Sequence, residues 1–184
     1  VENFGEKVEN VMTPTYKLVY PNYEVQTSFE MELASIYVGQ GVQEINNVSI
    51  LIQQAAADGN VDKIIELLKS LIASVPYDIQ LKYEKYYQSL MYLVFKMCGM
   101  EIFPESATNI GRIDAVMYSG NLIYIIECKI DKKAEKAQKQ IFDKKYAEKF
   151  MLEKENGKQI IGIAINFSYD NSVRNIDEYD YVEL

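Results

Sequence analysis

Apolar residues recur at intervals of three and four along "VDKIIELLKSLIASVP", where Val61, Ile64, Ile65, Leu68, Leu71 and Ile72 form one stripe. That spacing predicts an amphipathic helix, closed by Pro76. A second stripe, Tyr83, Tyr87, Leu90, Met91, Val94 and Phe95, predicts a helix over residues 80–98. Toward the start of the chain, "YKLVYPNYEV" holds two short apolar-polar runs around Pro21 and Asn22, the chemistry of a turn, so the opening up to Phe29 is expected to be extended. The pattern turns helical from Phe29. Gly39 with Gly41 should separate a short helix from the next, and Asn46 or Asn47 should cap a helix carrying Ile50, Leu51, Ala55 and Ala56. Residues 29–75 therefore read as a helical subdomain or insertion, structural or partner-binding in role.

After Gly99 the period shortens to that of strands. "MEIFPES" and "GRIDAVMYS" read as two strands, and Gly120-Asn121 as a tight turn into a third, "LIYIIECKI". A helix is expected from about Lys133 to Glu155, with Ala134, Ala137, Ile141, Phe142, Tyr146 and Phe150 as its packing surface. "GKQIIGIAINF" gives a further strand whose unbroken apolar run suits a central position covered on both sides. The acidic tail "NIDEYDYVEL" is expected to add an edge strand or to lie along the surface. This order predicts an α/β fold, a mixed central sheet flanked by helices on both faces, with a core over residues 80–170 inside one domain of 1–184.

Composition narrows the chemistry. The chain of 184 residues has no His, which removes imidazole bases, imidazole metal ligands and His-containing triads. Carboxylates, Lys, Tyr and Cys remain. Cys98 and Cys128 sit in apolar settings and are expected as buried thiols rather than a disulfide. The 15 tyrosines call for hydroxyl partners at the margin of the core. No apolar run is long enough to span a bilayer, so a soluble, cytoplasmic chain is expected, and the start at Val1 suggests a fragment of something longer or a processed chain. The net charge of −8 argues against a chain that coats nucleic acid with basic surface. The signs are segregated, however: residues 1–60 carry eight acids and two bases, whereas residues 131–158 carry nine Lys against six acids.

Two acids stand where acids are costly. Asp114 and Glu127 each interrupt an apolar strand, and an ionised carboxylate there needs compensation. Pairing about the Gly120-Asn121 turn joins residues whose numbers sum to 241, which sets Asp114 opposite Glu127 on one face. Facing carboxylates repel unless a proton or cation lies between them, and a hard divalent ion such as Mg²⁺ (or Mn²⁺) suits an all-oxygen donor set. Lys129, two residues beyond Glu127, shares that face and would aid an attacking water and stabilise charge developing on phosphorus. Glu84, on the preceding helix, is placed to reach the same site. The competing arrangement of these charges is a diagonal Asp114–Lys129 ion pair with Glu127 bound to Arg112, an ordinary cross-strand network.

At this point the residues resemble the PD-(D/E)XK nuclease superfamily. The features are "YPNYEV" at 20–25, "YEKYYQSLMYLVF" at 83–95, "GRIDAV" at 111–116, "IIECK" at 125–129 and "AQKQIFDKKYAEKF" at 137–150. The chain looks most like the nuclease domain that follows an AAA-ATPase-like domain in bacterial proteins, especially those of gut Bacteroidetes. The resemblance implies a restriction-endonuclease-like fold with Asp114 and Glu127 as metal ligands, Lys129 as the lysine of the motif, and Glu84 as the helical acid. It also implies site roles for Gln140 and Tyr146. Arg112, Lys144, Lys145 and Tyr146 are then expected to contact substrate. Ile113 stands where the motif has Pro, a departure that removes no ligand.

The leading expectation is a Mg²⁺-dependent phosphodiesterase acting on DNA. The alternative is a catalytically silent nucleic-acid-binding or regulatory module coupled to an upstream ATPase-like domain. The third reading is a purely structural domain that mediates self-association through the tyrosine-rich surface, with a homo-oligomer as its assembly.

Overall fold

The computed structural model describes residues 5–7, 16–38, 41–170 and 174–184. The chain begins with a small antiparallel pair, β1 (Gly5–Lys7) and β2 (Tyr16–Leu18). Four helices follow: α1 (Tyr23–Val38), α2 (Val42–Ala57), α3 (Val61–Ala73) and α4 (Glu84–Met97). Then come the strands β3 (Glu101–Ala107), β4 (Arg112–Ser119) and β5 (Leu122–Ile130), and the helix α5 (Ala134–Asp143). A short 3₁₀ turn (Tyr146–Phe150) and α6 (Met151–Glu155) lead to β6 (Gln159–Tyr169) and β7 (Arg174–Glu183). No described helix is long and apolar enough to cross a membrane.

Strands β3 to β7 form one five-stranded sheet in sequence order, with β5 and β6 parallel and the other neighbours antiparallel. The parallel pair follows from the long crossover through α5, because a tight turn can only reverse the chain. Apolar layers cover both faces. Ala115, Met117, Tyr124, Ile126, Ile163 and Ile165 pack against α2, α3 and α4, while Ile113, Val116, Ile123, Ile125 and Ile160 pack against Ile141, Tyr146 and Phe150. The mixed α/β architecture with helices on both faces is thus the one expected. The C-terminal tail forms the edge strand β7.

The helices 29–75 do more than attach to this sheet. The α3 stripe Val61, Ile64, Ile65, Leu68, Leu71 and Ile72 is buried in the same apolar cluster as the strands. Tyr124 on β5 donates to the carbonyl of Ala56 at 2.6 Å, and Asn175 on β7 donates to that of Lys69 at 2.9 Å.

Several local expectations give way. Residues 23–28 are helical rather than extended, because Asn22, read as part of a turn, accepts the Val25 N–H at 2.9 Å and so caps α1. Gly41, not Asn46 or Asn47, stands at the N-cap of α2, and Ile50 and Leu51 face outward while Ile45, Ser49 and Ile52 are buried. Tyr83 precedes α4 and is 68% exposed. The single helix expected from Lys133 to Glu155 breaks at Lys145, which adopts φ +46°, and Phe142 is turned outward. Gly39 and residues 1–4 and 8–15 of the opening segment lie outside the described residues.

Candidate active site

Hairpin geometry brings the buried Glu127 and the half-buried Asp114 together. β4 and β5 pair from Ser119 with Leu122 to Ala115 with Ile126, a register in which residue numbers sum to 241. Gly120 adopts φ +54° in the connecting turn, a left-handed conformation that glycine reaches without steric cost. The next position in that register sets Asp114 beside Glu127. Side chains alternate along β5, so Glu127 and Lys129 continue the face of Ile123 and Ile125. This is the face covered by α5.

The contacts at the site are specific. Lys129 Nζ donates to Glu127 Oε1 at 2.7 Å and to the Cys128 carbonyl at 2.9 Å. Asp114 Oδ2 accepts the Cys128 N–H at 2.8 Å, so Asp114 is held by the backbone between the other two residues. The Glu127 side chain is 1% exposed and that of Lys129 12%. The second oxygen of Glu127, Oε2, is buried and has no hydrogen-bond partner among the described residues. An unpaired carboxylate oxygen in that position is costly.

The protonation equilibria express this cost. Burial, then the charge of Asp114, push the Glu127 carboxyl up to about 7, against the opposing pull of Lys129 and of the Asp114 backbone N–H. Burial also raises Asp114, countered by the Cys128 N–H, the Lys129 charge and the Gln88 side chain. Burial acts to lower Lys129, but the hydrogen bond and charge of Glu127, with Asp114 and Glu84 beyond, outweigh it and the net direction is upward. The Cys128 thiol, fully buried on the other face of β5 against Met91, is pushed well above its ordinary value, first by burial. Cys98 and Cys128 are both free buried thiols.

The remaining candidates fall into two groups. Glu84 opens α4 and lies within electrostatic reach of both Asp114 and Lys129. Gln140 Nε2 donates to the Tyr146 hydroxyl at 3.2 Å, which donates to the Arg112 carbonyl at 2.8 Å, a relay that ties α5 to β4 beside Asp114. Other expected contacts do not converge on the acids. Arg112 pairs with Glu105 at 2.7 Å, and Lys145 with Glu148 at 3.3 Å. Lys144 is an exposed residue at the C-cap of α5. The alternative charge network, with Glu127 bound to Arg112, does not form: Glu127 takes Lys129.

Gln88 also lies beside Asp114, a neighbour that sequence reading misses although a signal for it exists. It lies four residues after Glu84, one helical turn along the face that meets Asp114. A cleft of about 360 Å³ opens here, lined by Lys85, Gln88, Ser89, Tyr92, Glu105 and Asp114.

The model of the PD-(D/E)XK nuclease superfamily matches residues 82–177, just over half of the chain. The chain belongs to the PD-(D/E)XK nuclease superfamily. Its match spans the helix carrying Glu84 through to β7, and so includes every candidate residue named above. The chain is also 30% identical over 165 residues to the uncharacterized protein in the vnfD 5′ region of Azotobacter chroococcum mcd 1. That alignment covers 86% of this chain and 31% of the relative, so the chain spans about a third of the length of the relative it matches.

PD-(D/E)XK nucleases typically use divalent metals, and the donors here can be tested against that requirement. Among the described residues no group of three or more His, Cys, Asp or Glu side chains is placed to hold an ion. Asp114 and Glu127 nonetheless fit a hard cation. They are all-oxygen donors, and Glu127 Oε2 is a buried acceptor with no partner among the described residues.

Proposed function

We propose that this chain is a metal-dependent nuclease that hydrolyses phosphodiester bonds of DNA, with residues 1–184 acting as one nuclease-like unit. The observation that carries this reading is the buried, unpaired Glu127 Oε2 beside Asp114, with the Lys129 ammonium bonded to the same carboxylate. Asp114 and Glu127 would hold Mg²⁺ or Mn²⁺. The bound ion supplies Lewis-acid stabilisation of charge developing on the phosphoryl oxygens and lowers the pKa of the attacking water.

The chain's own residues have separate tasks in this reading. Lys129 places a positive charge where the phosphoryl group becomes more negative, and its bond to the Cys128 carbonyl fixes the direction of the ammonium. Gln88 supports the Asp114 carboxylate from α4, while the Glu84 charge favours the Lys129 ammonium. Gln140 and the buried Tyr146 hold α5 against β4, and Gln140 offers a polar contact to the sugar-phosphate backbone, with Lys144, Lys145 and Arg112 as outer phosphate contacts.

The test combines metal binding with cleavage. Calorimetric titration of Mn²⁺ should give one or more bound ions in the wild type and markedly weaker binding in Asp114→Asn and Glu127→Gln. Lys129→Ala should lower the rate of plasmid nicking by about a hundredfold or more. Cleavage by Lys129→Ala at the wild-type rate would overturn the assignment.

A second reading is favoured by the Lys129–Glu127 pair, which already neutralises one acid. On that reading the chain is a catalytically silent nucleic-acid-binding or regulatory module, coupled to an upstream ATPase-like domain of a longer protein. Metal binding and DNA retention without cleavage, in both the chain and the longer protein, would select it.

A further inference from the structure

Opposite Asp114 the β3–β4 ladder is interrupted. The strands pair with residue numbers that sum to 219 on both sides of this point, Pro104 with Ala115 and Ser106 with Ile113, but Glu105 and Asp114 are not ladder partners. Glu105 adopts φ +49°, a left-handed backbone disfavoured for a residue with a Cβ. Its carboxylate meets two cations, with Oε2 2.7 Å from Arg112 Nη1 and Oε1 3.4 Å from Lys85 Nζ. The side chains of Lys85, Arg112 and Glu105 are 83%, 62% and 50% exposed. Ion pairs this exposed stabilise a fold little and exchange readily, so the triad does not account for the unusual backbone as a stability device.

Its position is more informative. Lys85 and Glu105 line the cleft that also contains Gln88 and Asp114. One carboxylate thus holds together two cations at the lip of a cleft leading to the candidate metal-binding acid. A carboxylate and a phosphate present similar oxygen pairs to a guanidinium. Glu105 also adds a negative charge close to Asp114 and so opposes the approach of any anion.

We propose that Glu105 is an internal stand-in for a substrate phosphate, holding Lys85 and Arg112 until a phosphate of the nucleic-acid backbone displaces it and takes both cations. This rests on the nuclease reading above and extends it to how substrate is admitted. A small anion gains little by displacing Glu105. A polyanion releases its own condensed counterions as it binds, and that release drives the exchange. The device therefore selects for a phosphodiester chain over a lone phosphate.

The experiment is equilibrium binding of a fluorescently labelled DNA duplex, followed by anisotropy in EDTA so that neither metal nor cleavage enters the readout. Glu105→Gln removes the charge, and Glu105→Gly removes the whole side chain while tolerating the backbone conformation. Both should tighten binding about three- to tenfold. Adding Lys85→Ala and Arg112→Ala to Glu105→Gln should cancel the gain and flatten the dependence of log K on log salt by about one to two. Equal or weaker binding by both Glu105 variants, with melting temperatures unchanged, would overturn the proposal. Loss of cleavage in Asp114→Asn together with no gain in the Glu105 variants sinks the stand-in alone, whereas no retention of duplex by any variant or the wild type sinks the nuclease reading with it.

Discussion

Glu127 answers to two opposed forces: burial and the Asp114 charge favour its neutral form, while Lys129 favours the ionised one. The balance leaves its carboxyl at about 7, against 4.5 ordinarily. Between those values the native chain keeps a proton that the unfolded chain has lost. Glu127 therefore makes stability decline as pH rises through this window and level off above it. A divalent ion needs the carboxylate, so ion binding and proton binding compete. Apparent Mn²⁺ affinity should fall about tenfold for each pH unit below 7, with close to one proton released per ion. Calorimetry in buffers of different ionisation enthalpy measures both quantities, and an affinity flat from about pH 5.5 to 8 would contradict the assignment. Lys129→Ala removes an interaction that lowers the Glu127 pKa, so the midpoint of this pH dependence should move upward in that variant.

Hydroxyls buried between elements allow a second set of tests. Tyr124 joins β5 to the end of α2 through its bond to the Ala56 carbonyl, so Tyr124→Phe should cost about 1–2 kcal/mol in urea unfolding. Tyr87 on α4 stacks on Phe167 of β6 with ring centroids 4.7 Å apart, but its buried hydroxyl has no hydrogen-bond partner among the described residues. Tyr87→Phe keeps the ring contact and should be neutral, or stabilising by up to about 1 kcal/mol. A comparable loss in both variants would show that the Tyr87 hydroxyl has a partner after all. The elements themselves are largely legible in the chain. The α3 stripe and the β4–β5 turn carry strong periodic and turn signals, and the register that joins Asp114 to Glu127 follows from the turn alone. The break at Lys145 is not legible, because Ile141, Tyr146 and Phe150 keep a near-helical spacing across it and all three remain buried. The start of α1 is ambiguous in sequence because Asn serves turns and helix caps by the same side-chain hydrogen bond. Glu105 gives no signal, since nothing in "IFPES" marks a residue that will leave the ladder.

At the scale of the molecule, the proposed function requires a chain of net charge −8 to bind a polyanion. The crossover from β5 to β6 concentrates positive charge on the layer that covers Glu127 and Lys129. Lys133, Lys136, Lys139 and Lys144 are exposed there, and the N-terminus of α5 is pinned by the Ala134 N–H donating to Glu178 of β7 at 3.2 Å. Over a Debye length of about 8 Å at physiological salt, a phosphate near α5 senses these lysines more than the acids of the distant N-terminal helices. These lysines are set against Glu135 and Asp143 on α5 and against Glu178 and Asp180 of β7, which hydrogen-bond to it, and counterion release is the expected drive for binding. In anisotropy titrations of duplex DNA without divalent metal, log K should fall linearly with log salt. Lys136→Glu with Lys139→Glu should reduce the slope by about one for each phosphate no longer neutralised and weaken binding regardless of sequence. The same reversal at Lys63 and Lys69, on α3 behind the sheet, should leave the slope unchanged. If the α3 pair rather than the α5 pair alters the slope, nucleic acid lies on the opposite face and the site built around Asp114 and Glu127 is not where the chain engages it.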